Sequence, residues 1–559
     1  MFDMTVIENK IQAEILKLKE KLSIAEKQRR YRYLLELYRR LIQEIANVLN
    51  QYHKKNFSTR YWSILIGPWL RYYIYILYER FKTLEHIFMV NKNFQTLGLD
   101  EANYHYPIDT LDFMELLKED SYNLQIYTKL IKSTKLFIIT QYIKRRVRSR
   151  CNKKTPNNKL KRFFWIFIFY FLRKRKKLGL FKSYFPKLTR LYFMVFSMGK
   201  LMEIPEAILP ELDCTEKDYS FSLRNEIKLK YTGNNQFEDF LYSSLIEDLP
   251  ICFLEGYNKY FMHAKQTINY LGHIKGFVSA NAWYYSELFK QISALKAESN
   301  NKLYGIQHGG NYGNIQFNVS CEHELEILDN YYTWGWSSTI KMVKPMPINK
   351  LSSRFSFNKN MGAKDVLYGL TCLPRFDNNY FILLPSEFEK YLNDQKVFIS
   401  SLSEEAKNYL FVRPHHEDLG WNIKGKLREN FSQLKFDDWG TSFLERLHSC
   451  KLYICDHLST THIESLALNK PTILFWRPGY FPYSETAVSY YQTLKDVGIL
   501  FDEPVSAAIA VNEIINDVEC WWAMPERQIA VRKFCQQYAR VSITSEKIWL
   551  HELLSLVNV

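Results

Sequence analysis

The chain has 559 residues, 24% of them charged and 16% aromatic, and a net charge of +16. That length exceeds one core, and that composition excludes a disordered chain, which lacks the apolar surface to offset the entropy of ordering. The charge is local: residues 121–202 hold 22 Lys and Arg and no Asp or Glu, leaving 53 basic against 59 acidic residues elsewhere. A whole-protein nucleic-acid role is disfavoured against one basic docking surface.

From the N-terminus, apolar positions at Ile11, Ile15, Leu18, Leu22 and Ala25, then Leu34, Tyr38, Leu41, Ile45 and Val48, predict a long amphipathic helix or helical pair packed on the protein's own body. Gly67-Pro68 predicts a break in any helix there, and the aromatic cluster around Trp62 and Trp69 reads as core rather than as a sugar-stacking surface. No basic-then-apolar leader opens the sequence and no apolar run reaches about 18 residues, so neither a signal peptide nor a spanning helix is expected. Nine scattered cysteines, with no CxxC pair, are expected to be reduced thiols of a cytosolic protein.

The stretch 144–177 surrounds a ten-residue apolar block, 163–172, with Lys161-Arg162 on one side and Arg173 to Lys177 on the other. It is too short to cross a bilayer and too apolar for a solvated face. An interfacial segment, with rings in the acyl boundary and cations on anionic headgroups, satisfies both facts; a buried helix with charged ends is the alternative. RNA binding is disfavoured because the cations bracket the rings instead of alternating with them.

Beyond about residue 260 the pattern turns α/β. Strands are predicted over 274–279 and 303–307 with a helix over 283–295 between them, and a polar linker over 348–360. A second series follows, with strands over 409–413, 450–456, 472–476 and 498–501, then helices to the end. The boundaries are an N-terminal helical and aromatic region (1–120), a basic-aromatic membrane-surface segment (121–202), an acceptor-side α/β domain (203–350), a donor-side α/β domain (361–504) and C-terminal helices (505–559). Two doubly wound sheets facing each other across a cleft are the expected architecture.

Three motifs fall where strands end and so should line that cleft. In the first series, Gln307-His308-Gly309-Gly310 offers an imidazole able to take a proton from an attacking hydroxyl, and two glycines that permit close backbone approach to a ligand. In the second, Arg413 with His415 and His416 can neutralise a phosphate or protonate a leaving group. The third, Asp456 with Ser459, Thr460 and Thr461, leads into a helix predicted to start near His462, whose free N–H groups and positive dipole end suit an anion. Glu464 either reaches a ribose hydroxyl or faces solvent. Glu322 and Glu324 are further candidates for the base. Cys321-Glu322-His323-Glu324 has one His and no HExxH spacing, so no metal is expected, and the usual nicotinamide and P-loop signatures do not occur.

Tyr61-Trp62, Gly67-Pro68-Trp69-Leu70, the Gly305–Gly313 stretch with its Gln-His-Gly-Gly, and the run from Asp456 to Trp476 together resemble the spirochaete-type transferases of surface-carbohydrate biosynthesis, outside 121–202. The central unit is also similar to the GT-B-fold CDP-glycerol glycerophosphotransferases and, in outline, to bacterial sialyl- and Kdo-transferases. The resemblance implies a GT-B-like pair of Rossmann-type domains with an added N-terminal helical region. It implies His308 as the base activating an acceptor, His415 or His416 near the donor phosphate, and hydroxyls of Ser459, Thr460 and Thr461 donating to that phosphate. Here Pro-His-His stands for His-Pro and Leu-Ser-Thr-Thr for Tyr-Ser-Ser. The expected function is glycosyl transfer, without a cofactor, from a nucleotide-sugar (CMP- or CDP-linked donors included) to a surface or lipid-linked glycan, by a cytoplasmic protein peripheral on the inner face of the plasma membrane. A CDP-polyol phosphotransferase and a non-catalytic scaffold are the alternatives.

Overall fold

The structure, a computed structural model, describes residues 22–144, 159–210, 214–227, 229, 233–340, 342–351, 364–378, 380 and 382–558. The predicted positions Ile11, Ile15 and Leu18, the 145–158 part of the basic stretch and most of the 348–360 linker lie outside them.

Two long helices open the described chain: α1 (Ile24–His53) and α2 (Thr59–Val90). In α1 the spacing places Leu34, Tyr38, Leu41 and Ile45 on the buried face, against α2 and the body. The expected break at Gly67-Pro68 does not occur, because α2 runs straight through Pro68. Proline there forfeits one hydrogen bond. The loss is outweighed by burial on all sides: Trp62, Ile66 and Trp69 are fully enclosed, and the Lys290 ammonium donates to the Leu65 carbonyl at 2.9 Å beside the gap. Gly67 is needed for packing, since a Cβ would stand 2.8 Å from His323 and 2.9 Å from the Tyr38 hydroxyl.

A small parallel pair, β1 (Gln95–Leu99) and β2 (Ile138–Ile143), flanks this helical region. The first large sheet comprises β3 (Lys177–Leu180), β4 (Leu201–Glu203), β5 (Ile274–Ser279), β6 (Lys302–Ile306), β7 (Asn330–Thr333) and β8 (Val343–Pro345), in the order β4-β3-β5-β6-β7-β8. The second comprises β9 (Val366–Gly369), β10 (Leu410–Arg413), β11 (Lys435–Phe436), β12 (Leu452–Cys455), β13 (Thr472–Phe475) and β14 (Leu500–Phe501), in the order β11-β10-β9-β12-β13-β14. Every pairing in both sheets is parallel. Each order reverses once, between β3 and β5 and between β9 and β12, so each sheet is doubly wound with a ligand crevice at its switch point. This is the GT-B arrangement of two facing Rossmann-type halves.

The boundary drawn at residue 202 is corrected: β3 and β4 belong to the first sheet, so 121–202 is not a separate unit. The C-terminal helices divide between the halves: those from Pro504 to Tyr538 pack on the second. The last helix (Ser545–Asn558) returns to the first, where Trp549 and Leu553 pack with Phe185, Phe193 and Val278.

Candidate functional site

The first half contributes the turn after β6. Gln307 fixes it, donating to the Gly309 carbonyl at 2.8 Å and accepting from the Trp334 backbone at 2.9 Å and the Trp336 indole at 2.8 Å. His308 then projects toward the Tyr312 hydroxyl, 3.3 Å from Nδ1, and toward Glu324 of helix α3 (Val319–Ile327), 3.7 Å away. Tyr184, in the loop after β3, presents its ring edge-on to the imidazole at 6.4 Å. Burial, then the Lys350 charge, push His308 down to about 4, against a hydrogen bond to the Ala280 backbone. At that value the His308 imidazole is neutral throughout the physiological range. Burial also holds the Glu324 carboxyl well above the usual carboxylate range, despite hydrogen bonds from Tyr331 and Tyr312.

The second half contributes the turn after β12, at its switch point. Asp456 is wholly committed inward, accepting from Tyr368 at 2.8 Å, Tyr391 at 2.7 Å and Gln395 at 3.1 Å, with His457 Nδ1 at 2.9 Å. It is therefore a buried anchor and not a contact for a donor. Burial opposes a charge on His457, yet Cys455 and Asp456 beside it raise it to about 10, so this imidazole is a cation. Helix α4 (Thr460–Ala467) starts two residues before the expected His462, with Ser459 as its N-cap residue and the Ser459 N–H donating to His462 Nδ1 at 3.0 Å. The Ser459 and Thr461 hydroxyls lie 2.7 Å apart, and Tyr453 donates to Thr461 at 2.7 Å.

The two turns touch. The Gly310 N–H donates to the Thr460 hydroxyl at 3.0 Å, and a Cβ on Gly310 would come within 2.4 Å of the Ser459 carbonyl. The glycine thus permits approach of the other half's helix rather than of a ligand, and Gly309, where a Cβ would lie 3.5 Å from the Thr460 hydroxyl, faces the same helix start. Close by, residues 313–316 bond to 482–484, for example Ser484 Oγ to the Gly313 carbonyl at 2.7 Å and Gln316 N–H to the Pro482 carbonyl at 2.9 Å. A cavity of about 210 Å³ opens beside the junction, lined by His308, Tyr312, Thr460, Tyr72 and Tyr380.

Lys350 bridges the halves: its ammonium lies 3.7 Å from Glu464 and over the rings of Tyr184 and Trp334, at 5.4 and 5.5 Å. Glu464 is buried with its carboxyl raised by that burial, so it is not the solvent-facing acid that one reading allowed. Lys350, Tyr184, Tyr312 and His457 escaped the sequence reading. Lys350 sat in what read as linker and carried no signal; His457, beside an acid at a strand end, did carry one.

The remaining candidates take other partners, although His415 still feels the His457 charge. Arg413 is buried against Asp437 at 3.1 Å and the Thr441 carbonyl at 3.0 Å, which makes it a brace within the second sheet. His415 turns back on the Glu417 backbone at 3.1 Å, its pKa lowered by burial, while His416 is exposed. Glu322 accepts from Tyr31 of α1 at 2.8 Å, so α3 sends its two candidate acids to different places and only Glu324 reaches His308.

A family model described as LIC12162 family transferase matches residues 14–553. A chain with two facing doubly wound halves and its polar turns at their junction is thus a transferase by class. It belongs to the LIC12162 family of transferases. No curated protein matches it. Among solved structures, a wall teichoic acid polymerase TagF variant soaked with CDPG is 8% identical, with 71% of this chain and 94% of that one covered at a TM-score of 0.33. The glycosyltransferase SnogD from Streptomyces nogalater is 14% identical, with 68% and 100% covered at 0.35. The glycosyltransferase VinC in complex with dTDP is 11% identical, with 68% and 99% covered at 0.35. These overlaps are loose, and the functional reading rests on the family and on this chain's own residues.

Proposed function

We propose that the protein is a glycosyltransferase that moves a sugar from a nucleotide-sugar, held by the second half, to a hydroxyl of a surface or lipid-linked glycan presented by the first. The observation that supports it most is the contact between the two turns, which sets a neutral imidazole, His308, facing a helix start that carries the Ser459 and Thr461 hydroxyls and a cation, His457. A neutral imidazole can accept the acceptor's proton as its oxygen attacks the sugar carbon, while N–H groups, hydroxyls and His457 stabilise the negative charge growing on the departing phosphate. Glu464 and Lys350, at the same junction, are placed to select the donor's sugar or ribose.

Action at the inner face of the plasma membrane is part of the same reading. In helix 159–171 the rings of Phe163, Phe164, Phe167, Tyr170 and Phe171 are exposed, and exposed Arg173 to Lys176 follow them. Lys177 is different: it is buried and caps the Leu172 carbonyl, so the docking cations are 173–176. Among the described residues no helix is long and apolar enough to cross a membrane.

A screen of nucleotide-sugar hydrolysis by the purified protein tests the function. One nucleotide-sugar should be consumed in preference, and His308→Ala should abolish the preference's turnover. Consumption of none would refute the proposal. A product that keeps the donor's phosphate would establish polyol phosphate transfer instead.

A further inference from the structure

The sequence pointed to one interfacial segment, but the structure holds a second apolar stripe. The helix Lys187–Phe196, which connects β3 to β4, turns Leu188, Leu191 and Val195 outward, and the stripe continues into Met198. Positions 188, 191 and 195 follow the helical repeat, so one face of the helix is apolar and in solvent, with Leu188 at 73% exposure, and Met198 just past its end is 71% exposed. A helix covering an ordinary core shows the reverse pattern. Here Thr189 and Phe193 are buried, and Tyr192 and Met194 pack partly against the core.

This stripe joins the first. Helix 159–171 carries Phe163, Phe167 and Phe171 outward at four-residue steps, and its end meets the end of the second helix, where the Arg175 guanidinium donates to the Met198 carbonyl at 2.7 Å. The join is also the most cationic part of the chain, with Arg173, Lys174, Arg175 and Lys176 exposed there and no acid anywhere in 121–202. Two apolar stripes with a cationic seam match an anionic bilayer surface: the rings and branched chains enter the acyl boundary and the cations meet the headgroups. A protein partner complementary to the seam would have to supply acids beside an apolar face, whereas a bilayer supplies both along its whole surface.

We infer that helix 187–196 and helix 159–171 form one docking face for an anionic lipid bilayer, an inference that rests on the membrane-surface reading above and extends it to a second helix. The consequence is positional. The loop between β3 and helix 187–196 carries Tyr184, which stands against His308, and Leu188 follows Tyr184 by four residues. The apolar stripe thus begins at the mouth of the cleft, which brings His308 close to the headgroup layer.

The test is flotation of the full-length protein with phosphatidylcholine vesicles containing about 30 mol% phosphatidylglycerol, against pure phosphatidylcholine. Leu191→Glu with Val195→Glu should lower the bound fraction about tenfold. The control pair Val505→Glu and Ile509→Glu, similarly exposed on a helix of the second half, should bind as wild type does. Because both sites are exposed, folding should be preserved, and unchanged thermal unfolding checks it. Should the double variant nevertheless unfold, Leu188→Ser with Met198→Ser makes the same comparison. Equal flotation by stripe and control variants would overturn the inference. So would loss of a dimer in the stripe variant with flotation unchanged, which would assign the face to a second copy of the chain. A wild type that floats but consumes no nucleotide-sugar would refute the glycosyltransferase reading and leave the docking face standing.

Discussion

His308 and His457 each stand two residues past a strand, β6 in one sheet and β12 in the other, yet their neighbours leave one neutral and the other charged. His308 is lowered to about 4, with a lysine charge near it and Glu324, its carboxyl raised by burial, at 3.7 Å. His457 is raised to about 10, with Asp456 at 2.9 Å and the Cys455 sulfur at 3.5 Å from the same Nδ1. Desolvation opposes the charge in both, so the sign of the neighbours decides. The same residue type, past a strand end in each sheet, is thus suited to accept a proton in one half and to carry positive charge in the other.

The comparison breaks first at His308. If it is the base, His308→Ala lowers turnover by about 10²–10⁴-fold with donor affinity little changed, because positioned proton transfer acts in the transition state. The acid limb of kcat/KM should then fall near pH 4 and not near 6.5. A histidine with only a structural part would instead cost thermal stability, with turnover falling as the folded fraction does. On the other side, His457→Gln should weaken nucleotide binding about tenfold, the scale of a hydrogen bond to a charged group, which calorimetry would read.

Removing Lys350 sharpens the contrast. Lys350→Met deletes a charge that pushes His308 down, so the acid limb should move up from about 4 toward 6.5. An unmoved limb would mean that burial alone sets it.

The smallest effect is on stability. His457 is raised, so its stabilisation is complete below about 6.5 and is lost as pH climbs through about 10. His308 is lowered, so the unfolded chain gains its proton first and stability drops as pH falls from about 6.5 to about 4. Thermal unfolding across that range should lose its alkaline slope in His457→Gln and its acid slope in His308→Ala.

How much of this was legible in the sequence follows the physics of each element. The central strands were, since buried parallel strands are short apolar runs between turns, and the 274–279 prediction matches β5 residue for residue. β3 was not, because four residues, Lys177–Leu180, abut a basic run that drowns their pattern. The straight α2 defied a local breaker because tertiary burial outweighed one lost hydrogen bond. At the site, His308 and the Ser459–Thr461 turn were readable as strand-end motifs. Asp456 and Arg413 looked identical to ligands in sequence, and only their partners, four side chains for one and Asp437 for the other, reveal anchors. Lys350 was invisible because its part depends on where two distant sheets meet.

The central claim is that a nucleotide phosphate sits at the start of helix 460–467, across from His308. Thr461 tests it best, since Thr460 also joins the two halves through Gly310 whereas the Thr461 hydroxyl bonds only within its own half. Calorimetric titration of CMP, CDP, UDP and GDP into wild type and Thr461→Ala should show one preferred nucleotide and about tenfold weaker binding of it in the variant, with unfolding temperature preserved. Equal affinity in the two proteins, or no binding of any nucleotide by wild type, would contradict it.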